Sequence, residues 1–459
     1  MRKLDAIVIG SGQGGTPLAK ALAQSGLNTV IIEKRWVGGT CVNDGCTPTK
    51  TMIADARAAY VVKHSYDHGV DVRSFTIDLP TIIARKNKVV ASSRNNTEKG
   101  LQQTKGLELL YGTAVFTGQK IISVMKDDGT TETLTADKIF INTGAKPLIP
   151  AIPGLAHVSY YDSTSLLDVD KIPTHLVIVG ASYIALEMGQ LFRRLGSTVS
   201  ILEKSHRILP KEDEDIAHAV QDMLVSEGIT IHTGAAVTEL NQLVPEKIQV
   251  TLSTNDILEA SHILLASGRV PQSAALHPAA TGLQVDDKGY ILVNEYLETN
   301  VPGIYALGDV KPGPAFTHVS YNDYIILRNN LLKHTRQSTQ DRPLLYCMFT
   351  DPELGRVGLT EQEAQQRQLP FTVVSLPMSK VARGIETGET RGLMKAIVHR
   401  ETMEILGASI LGASGGEVMT VLQMAMAGRI RADQLRDMMF AHPLFSESLN
   451  NLFMQLKQA

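Results

Sequence analysis

Residues 4–15 read LDAIVIGSGQGG, an apolar strand running straight into Gly10-x-Gly12-x-x-Gly15. Residues 17–24 carry a helical pattern, Gly26 ends it, and TVIIE forms a second strand finishing on Glu33. The same order returns farther on. Residues 175–185 read HLVIVGASYIA, and STVSILE comes after Gly196 and finishes on Glu203. In both copies the first glycine precedes the acid by 23 positions, and the intervening glycine precedes it by seven. Two strand–turn–helix–strand–acid units in equal register do not arise readily by chance.

Each part of the unit has a physical task. The first glycine allows a tight turn, the second lets backbone approach a pyrophosphate, and the third packs helix on strand. Helix N–H groups and the macrodipole hold phosphates, and the closing carboxylate accepts hydrogen bonds from ribose hydroxyls. Gly10, Gly12, Gly15 and Glu33 are therefore predicted to hold one dinucleotide, and Gly180, Ile184 and Glu203 a second. Ser182 stands at the middle glycine of the second copy, where its side chain can point away from the phosphates. Two dinucleotide sites point to a flavin plus a nicotinamide.

Immediately after the first unit, residues 38–50 read GGTCVNDGCTPTK. Pro48 suits the first turn of a helix continuing through residues 51–60, and a helix N-terminus lowers a thiol pKa. A thiolate there can attack disulfides, bind soft metals or donate charge to a flavin. Two inert core cysteines, or half of a zinc site, are the competing readings. Zinc would need a second ligand pair, and His64 and His68 are isolated on a polar stretch.

Composition bounds the rest. A chain of 459 residues has room for about three domains at ~150 residues each. Hydrophobic residues at 43% and charged residues at 20% exclude a disordered or fibrous chain. With 44 basic against 47 acidic residues the net charge is −3, so neither nucleic acid nor a membrane surface is an expected partner. The apolar stretch 176–192 is broken by Glu187, and the first strand begins by Leu4, so neither a membrane span nor a secretory signal is expected. The expected compartment is the cytoplasm. Three cysteines cannot build a disulfide scaffold.

GGTCxxxGCxPTK after an N-terminal GxGxxG resembles the class I pyridine nucleotide–disulfide oxidoreductases, which include lipoamide dehydrogenase, glutathione reductase and mercuric reductase. The resemblance runs the length of the chain. Asn142-Thr143-Gly144-Ala145 and Ala266-Ser267-Gly268-Arg269 resemble the family's two interdomain crossovers. TNVPGIYALGD at 299–309 resembles its second flavin fingerprint, and FAHPLFSESLNNLF at 440–453 its C-terminal His-Pro…Glu segment.

The resemblance implies an α/β fold with two Rossmann-like dinucleotide-binding domains, for FAD and NAD(P), plus a C-terminal α+β dimerisation domain. The expected boundaries are 1–149 for the FAD domain, 150–271 for the NAD(P) domain, 272–342 for a return to the FAD domain and 343–459 for the interface domain. It also implies a redox disulfide, with Cys46 as the charge-transfer thiol beside the flavin and Cys41 as the interchange thiol facing substrate. Lys50 is expected near flavin N5, paired with Glu187, and Tyr183 as a lid over the nicotinamide pocket. Gly39, Thr40, Thr143, Gly144 and Asp309 are expected on FAD, with Asp309 on the ribityl chain, and Gly268 on NAD(P). His318 aligns with a segment whose backbone faces the flavin, although a plain helix-start histidine reads as well. His442, oriented by Glu447, is expected as the acid–base of the partner's active site in an obligatory homodimer. The spacing agrees, because Pro443 stops a helix and Ser446-Glu447 suits the first turn of an amphipathic end helix carrying Leu449, Leu452, Phe453 and Leu456.

Glu203 favours a free 2′-hydroxyl and so NADH, while Lys204, His206 and Arg207 just beyond could neutralise the 2′-phosphate of NADPH. The motif details resemble the mercuric-reductase-like branch, which includes reactive-chlorine-resistance reductases. The chain has no cysteine after Cys347, departing from the C-terminal pair of true mercuric reductases, and it keeps His442, which those enzymes replace. A small-molecule or metal-ion acceptor is expected, but no resident metal. Dihydrolipoyl dehydrogenase is the first alternative, and a flavin-binding redox sensor or scaffold the second. Elsewhere in the chain, Cys347 reads as a core residue and Ser414-x-x-Glu417 as a capping box. Met419, Met424 and Met426 read as a core or interface stripe, and KEDED at 211–215 as a solvated turn.

Overall fold

The computed structural model describes residues 1–456. Strands β1 (Arg2–Ile9) and β2 (Thr29–Glu33) run parallel, joined by helix α1 (Gly15–Gln24). Three helices come next, α2 (Gly39–Asn43), α3 (Cys46–Lys63) and α4 (Leu79–Gln102), before β3 (Leu107–Tyr111) adds outside β2. An antiparallel excursion through β4 (Thr113–Gly118) and β5 (Ile121–Met125) leads into β6 (Thr131–Ile141), which lies parallel to β1 on its other side. Ala6, Ile7 and Val8 are completely buried, which is why this strand reads as a continuous apolar run rather than an alternating one.

After β7 (Ala145–Pro147), the second unit repeats the pattern with β8 (His175–Val179), α5 (Tyr183–Leu195) and β9 (Thr198–Glu203). Helix α6 (Glu214–Ser226) leads to β10 (Thr230–Thr233), and β11 (Val237–Val244), β12 (Lys247–Leu252) and β13 (Ile257–Ala260) form an antiparallel flap. Strand β14 (His262–Leu265) closes the order β10-β9-β8-β14. The chain leaves through β15 (Arg269–Pro271), antiparallel to β7, so entry and exit share one ribbon. Side chains lace it: Thr143 Oγ1 donates to the Gln272 carbonyl at 3.0 Å, and Gln272 Nε2 donates to the Thr143 carbonyl at 3.0 Å.

Strand β16 (Ile304–Ala306) then lies parallel to β6, and α7 (Thr317–Leu332) packs on α1. The last region is an antiparallel sheet built from β17 (Leu345–Met348), β18 (Glu353–Gly358), β19 (Phe371–Pro377), β20 (Leu393–His399) and β21 (Ile405–Gly412) in the order β17-β18-β21-β20-β19. Short helices α8 (Glu361–Gln366) and α9 (Ala382–Thr387) interrupt it, and α10 (Gly415–Ala427), α11 (Ala432–Arg436) and α12 (Ser448–Phe453) complete the region. Leu449, Leu452 and Phe453 are fully buried, each stabilising the core by about 1.5–3 kcal/mol, as the helical spacing predicts. Among the described residues no helix is long and apolar enough to cross a membrane.

Three local expectations change. Ser414 precedes α10 with a left-handed backbone (φ +57°) and its hydroxyl caps nothing, so the capping box does not form. The KEDED segment is not a solvated turn, because Glu212 and Asp213 are buried. Arg356 pairs with Glu212 at 2.9 Å, and Lys395 reaches Asp213 at 3.2 Å and Asp215 at 2.9 Å. The segment is a clasp between the second unit and the C-terminal sheet. Glu447 is the residue before α12 rather than inside its first turn.

Candidate active site

Cys46 is the first residue of α3, whose eighteen residues place a full helix N-terminus at its thiol, and Pro48 fills a first-turn position that needs no N–H. Cys41 lies in the short α2. The turn between β2 and α2 is pinned by Asn43, whose Nδ2 donates to the carbonyls of Val37 and Gly39, each at 3.0 Å. Both cysteines are free thiols, Cys41 half-buried and Cys46 exposed on its open side. The hydrogen bond between them lowers the pKa of Cys46, assisted by Thr317 Oγ1 at 3.5 Å and the Lys50 ammonium, to about 6. The same hydrogen bond, and after it burial, raises that of Cys41. Cys46, at a helix N-terminus with Thr317 and the Lys50 ammonium beside it, is therefore the favoured thiolate of the pair.

One turn into α3, Lys50 Nζ donates to Glu187 Oε2 at 2.5 Å. Glu187 is buried on α5, and its second oxygen accepts the Phe349 N–H at 2.8 Å. The Lys50 ammonium also stands 4.9 Å from the Phe349 ring centre. Farther along the same helix pair, Arg194 of α5 bonds Asp351 at 2.6 Å, and Arg57 of α3 bonds the same carboxylate at 2.7 Å. The two helices are thus fixed at both ends by charge pairs that also engage the C-terminal region.

The two closing carboxylates behave alike. Glu33 accepts the N–H groups of Ser11 at 3.0 Å and Arg35 at 2.9 Å, and Glu203 accepts those of Ala181 at 3.0 Å and Ser205 at 2.8 Å. At the first unit Gly15 N–H is taken by Asn142 Oδ1 at 2.9 Å, while the N–H groups of Gly12 and Gln13 find no acceptor among the described residues. Gly39 (φ +64°) approaches so closely that a Cβ there would lie 2.7 Å from the Gly12 Cα. Asp309 is walled in near Arg269 and Lys311, burial pushes its carboxyl pKa up, and it accepts no hydrogen bond among the described residues. Free N–H groups at a helix start and an unbonded enclosed carboxylate fit the diphosphate and polyol of FAD. Asp309 is braced from below, where Asp323 accepts the Gly308 N–H at 2.9 Å and pairs with Lys311 at 3.1 Å and Arg342 at 2.6 Å.

The other predicted positions divide between the crossovers, the second unit and the C-terminal region. Thr40 is exposed in α2, and Thr143 spends its hydroxyl on the crossover lacing, with Gly144 beside it accepting the Gln272 N–H at 2.8 Å. The Gly268 carbonyl accepts the Leu148 N–H at 2.9 Å, again within the crossovers. The Gly180 N–H donates to the Leu202 carbonyl at 2.8 Å, and the first-turn N–H groups of α5 at Tyr183 and Ile184 lie beyond it. Tyr183 is enclosed, which pushes its hydroxyl pKa up to about 12. His318, exposed near the start of α7, donates Nε2–H to the Leu345 carbonyl at 2.7 Å and so ties α7 to β17. His442 donates Nδ1–H to Glu447 at 3.0 Å and leaves Nε2 exposed. Within the chain it makes no hydrogen bond or ion pair to either cysteine among the described residues. Cys347, half-buried on β17, faces α10 near Gly416 rather than the thiol pair.

Sequence reasoning missed Thr317, Phe316, Tyr346 and Phe349. The threonine comes after an extended Phe316 at the start of α7, a polar residue at a helix start that any N-cap search would flag, but nothing local assigns it to a sulfur 271 positions away. It also passed over Trp36, the one tryptophan of the chain, which lies between the guanidinium groups of Arg94 at 4.0 Å and Arg35 at 4.5 Å.

Residues 4–323 match the pyridine nucleotide-disulphide oxidoreductase family and residues 345–453 its dimerisation domain, and the chain belongs to that FAD-dependent, pyridine-nucleotide-using family of oxidoreductases. It is 38% identical over 461 residues to a probable pyridine nucleotide-disulfide oxidoreductase, RclA, of Escherichia coli K12, covering all of both chains. A mercuric reductase of Bacillus cereus is 33% identical over 97% of this chain and 70% of its own length. The solved Cu(II) complex of the HOCl-induced flavoprotein disulfide reductase RclA from Escherichia coli superimposes with a TM-score of 0.92, at 37% identity over both full chains.

Proposed function

We propose that this chain is a cytoplasmic, homodimeric flavoprotein reductase that takes electrons from NADH and delivers them through the Cys41–Cys46 pair to a thiol-reactive acceptor, an oxidised sulfur species or a soft metal ion. The observation that carries it is the seat of Cys46 at the N-terminus of α3, 3.5 Å from Thr317 Oγ1 and one turn before the Lys50–Glu187 pair, which favours its thiolate. When bound, FAD accepts a hydride from the nicotinamide and supplies the electron pair that opens the sulfur–sulfur bond.

The residues then act in sequence. Lys50, held by Glu187, keeps positive charge beside the new Cys46 thiolate. Cys41 is held as a thiol, so it needs a base before it can attack, and the partner's His442 offers an exposed Nε2 whose tautomer is set by Glu447. On a disulfide acceptor, Cys41 sulfur attacks one sulfur and expels the other as thiolate, which takes the proton from the partner's His442. Cys46 then attacks Cys41 Sγ, re-forms the internal bond and releases the second thiolate. Thiolates also suit soft metal ions, in line with the mercuric reductase likeness and the Cu(II) complex of RclA.

NADH is preferred because Glu203 is fixed by two backbone N–H groups, and Arg207 donates to the carbonyls of Pro210 at 3.2 Å and Glu212 at 3.0 Å instead of standing free for a 2′-phosphate. Anaerobic titration with NADH and NADPH tests the reading, and turnover with glutathione disulfide, lipoamide, hypothiocyanite, Cu(II) and Hg(II) extends it to the acceptor. The expected result is rapid reduction by NADH to a species with a long-wavelength thiolate–flavin band. A colourless protein, or bleaching without that band, overturns it, and turnover with lipoamide alone reassigns the chain to dihydrolipoyl dehydrogenase.

A further inference from the structure

Four aromatic rings meet beside the thiol pair. Phe316, the residue before α7, lies at their centre: Tyr183 tilts against it at 5.6 Å, His318 stacks at 5.3 Å, and Tyr346 stacks at 5.3 Å with planes only 6° apart. Tyr346 comes from β17 of the C-terminal sheet, and its hydroxyl donates to the buried Glu212 of the KEDED clasp, which Arg356 pairs at 2.9 Å. A ring anchored at its far end by a charge-paired carboxylate cannot slide, so it fixes the ring it stacks on. We propose that Tyr346 is a positioning residue for the nicotinamide lid: through Phe316 it holds the Tyr183 ring in its resting place, and so sets how easily reduced nicotinamide displaces that ring. This rests on the reading of Tyr183 as the lid.

The geometry separates ring from hydroxyl. The stack against Phe316 acts on the lid, whereas the bond to Glu212 acts on the clasp. Without its backstop Tyr183 yields more readily, so nicotinamide enters at lower concentration and dioxygen reaches the flavin more often. An aromatic contact of this kind is worth roughly a two- to tenfold change in an equilibrium.

The test uses the FAD-loaded dimer, with anaerobic flavin reduction by NADH in stopped flow and NADH oxidation by dioxygen at steady state. Tyr346→Leu is expected to lower the KM for NADH about threefold and to raise the oxidase rate about threefold, with the thiolate–flavin band unchanged. Tyr346→Phe, which keeps the ring, restores both values, although both variants lose thermal stability together because both lose the bond to Glu212. Phe316→Leu, should Tyr346→Leu fail to fold, gives the same kinetic shift. Unchanged KM and oxidase rate in Tyr346→Leu, or equal shifts in Tyr346→Leu and Tyr346→Phe, overturn the proposal. Tyr183→Ala tells the two readings apart: if it alters nicotinamide kinetics and Tyr346→Leu does not, only the role of Tyr346 falls. If Tyr183→Ala changes nothing, the lid falls and the proposal with it.

Discussion

The two dinucleotide units are built alike up to the carboxylate and differ in the segment beyond it. Glu33 and Glu203 each accept the N–H of the residue after the first glycine and that of the residue two beyond the acid, with all four distances between 2.8 and 3.0 Å. After Glu33 the chain turns into α2 and α3 and presents two sulfurs; after Glu203 it turns into KEDED and hooks onto the C-terminal sheet. One copy of the device leads into the thiol pair and the other into a mechanical joint. A second difference is smaller. Ser11 Oγ adds a 2.6 Å hydrogen bond to Glu33, where the second unit has Ala181.

Removing the chemistry from the first unit should have the largest effect. Cys46→Ser is expected to lower disulfide turnover by more than about a thousandfold while flavin still binds, measured by acceptor-dependent NADH oxidation. In the NADH-reduced parent protein the thiolate–flavin band should persist as pH falls until about 6 and fade below, because the Cys46 pKa is lowered and its thiolate survives above that value. A band that fades near pH 8 would show that the two sulfurs are not divided.

Breaking the joint of the second unit comes next. Arg356→Met keeps the aliphatic stem but leaves Glu212 charged, buried and short of its partner, for an expected destabilisation of about 3–5 kcal/mol in chemical denaturation. Equal stability of variant and parent would mean that the Arg356–Glu212 pair contributes nothing to the fold. Glu203→Ala should raise the KM for NADH about tenfold and narrow the gap to NADPH, by loss of a charged hydrogen-bond acceptor at the ribose. The smallest change makes the units equal: Ser11→Ala removes the extra bond to Glu33, with an expected loss of about 1–2 kcal/mol in FAD affinity by reconstitution titration.

The same contrast explains why some features are legible in the sequence and others are not. The glycine spacings, the closing acids, the cysteine turn and the Lys50 position on α3 are local patterns, so short-range sterics write them into adjacent residues. KEDED reads as a solvated turn because its cations, Arg356 and Lys395, lie more than 140 positions away, and nothing in five charged letters encodes their arrival. Ser414 has the right letters for a cap but the wrong backbone, imposed where α10 packs against β18 and β21. Thr317 reaches Cys46 only when α7 meets α3, Phe349 reaches Glu187 only when the residue after β17 meets α5, and Tyr346 reaches Glu212 only when β17 meets KEDED.

Trp36 adds something practical. A lone indole three residues past Glu33, with the guanidinium groups of Arg35 and Arg94 over its ring, gives the protein an intrinsic optical probe. Indole emission overlaps the absorption of a yellow chromophore, so a flavin bound at the first unit would be followed as dimming of ultraviolet-excited light in the unlabelled molecule.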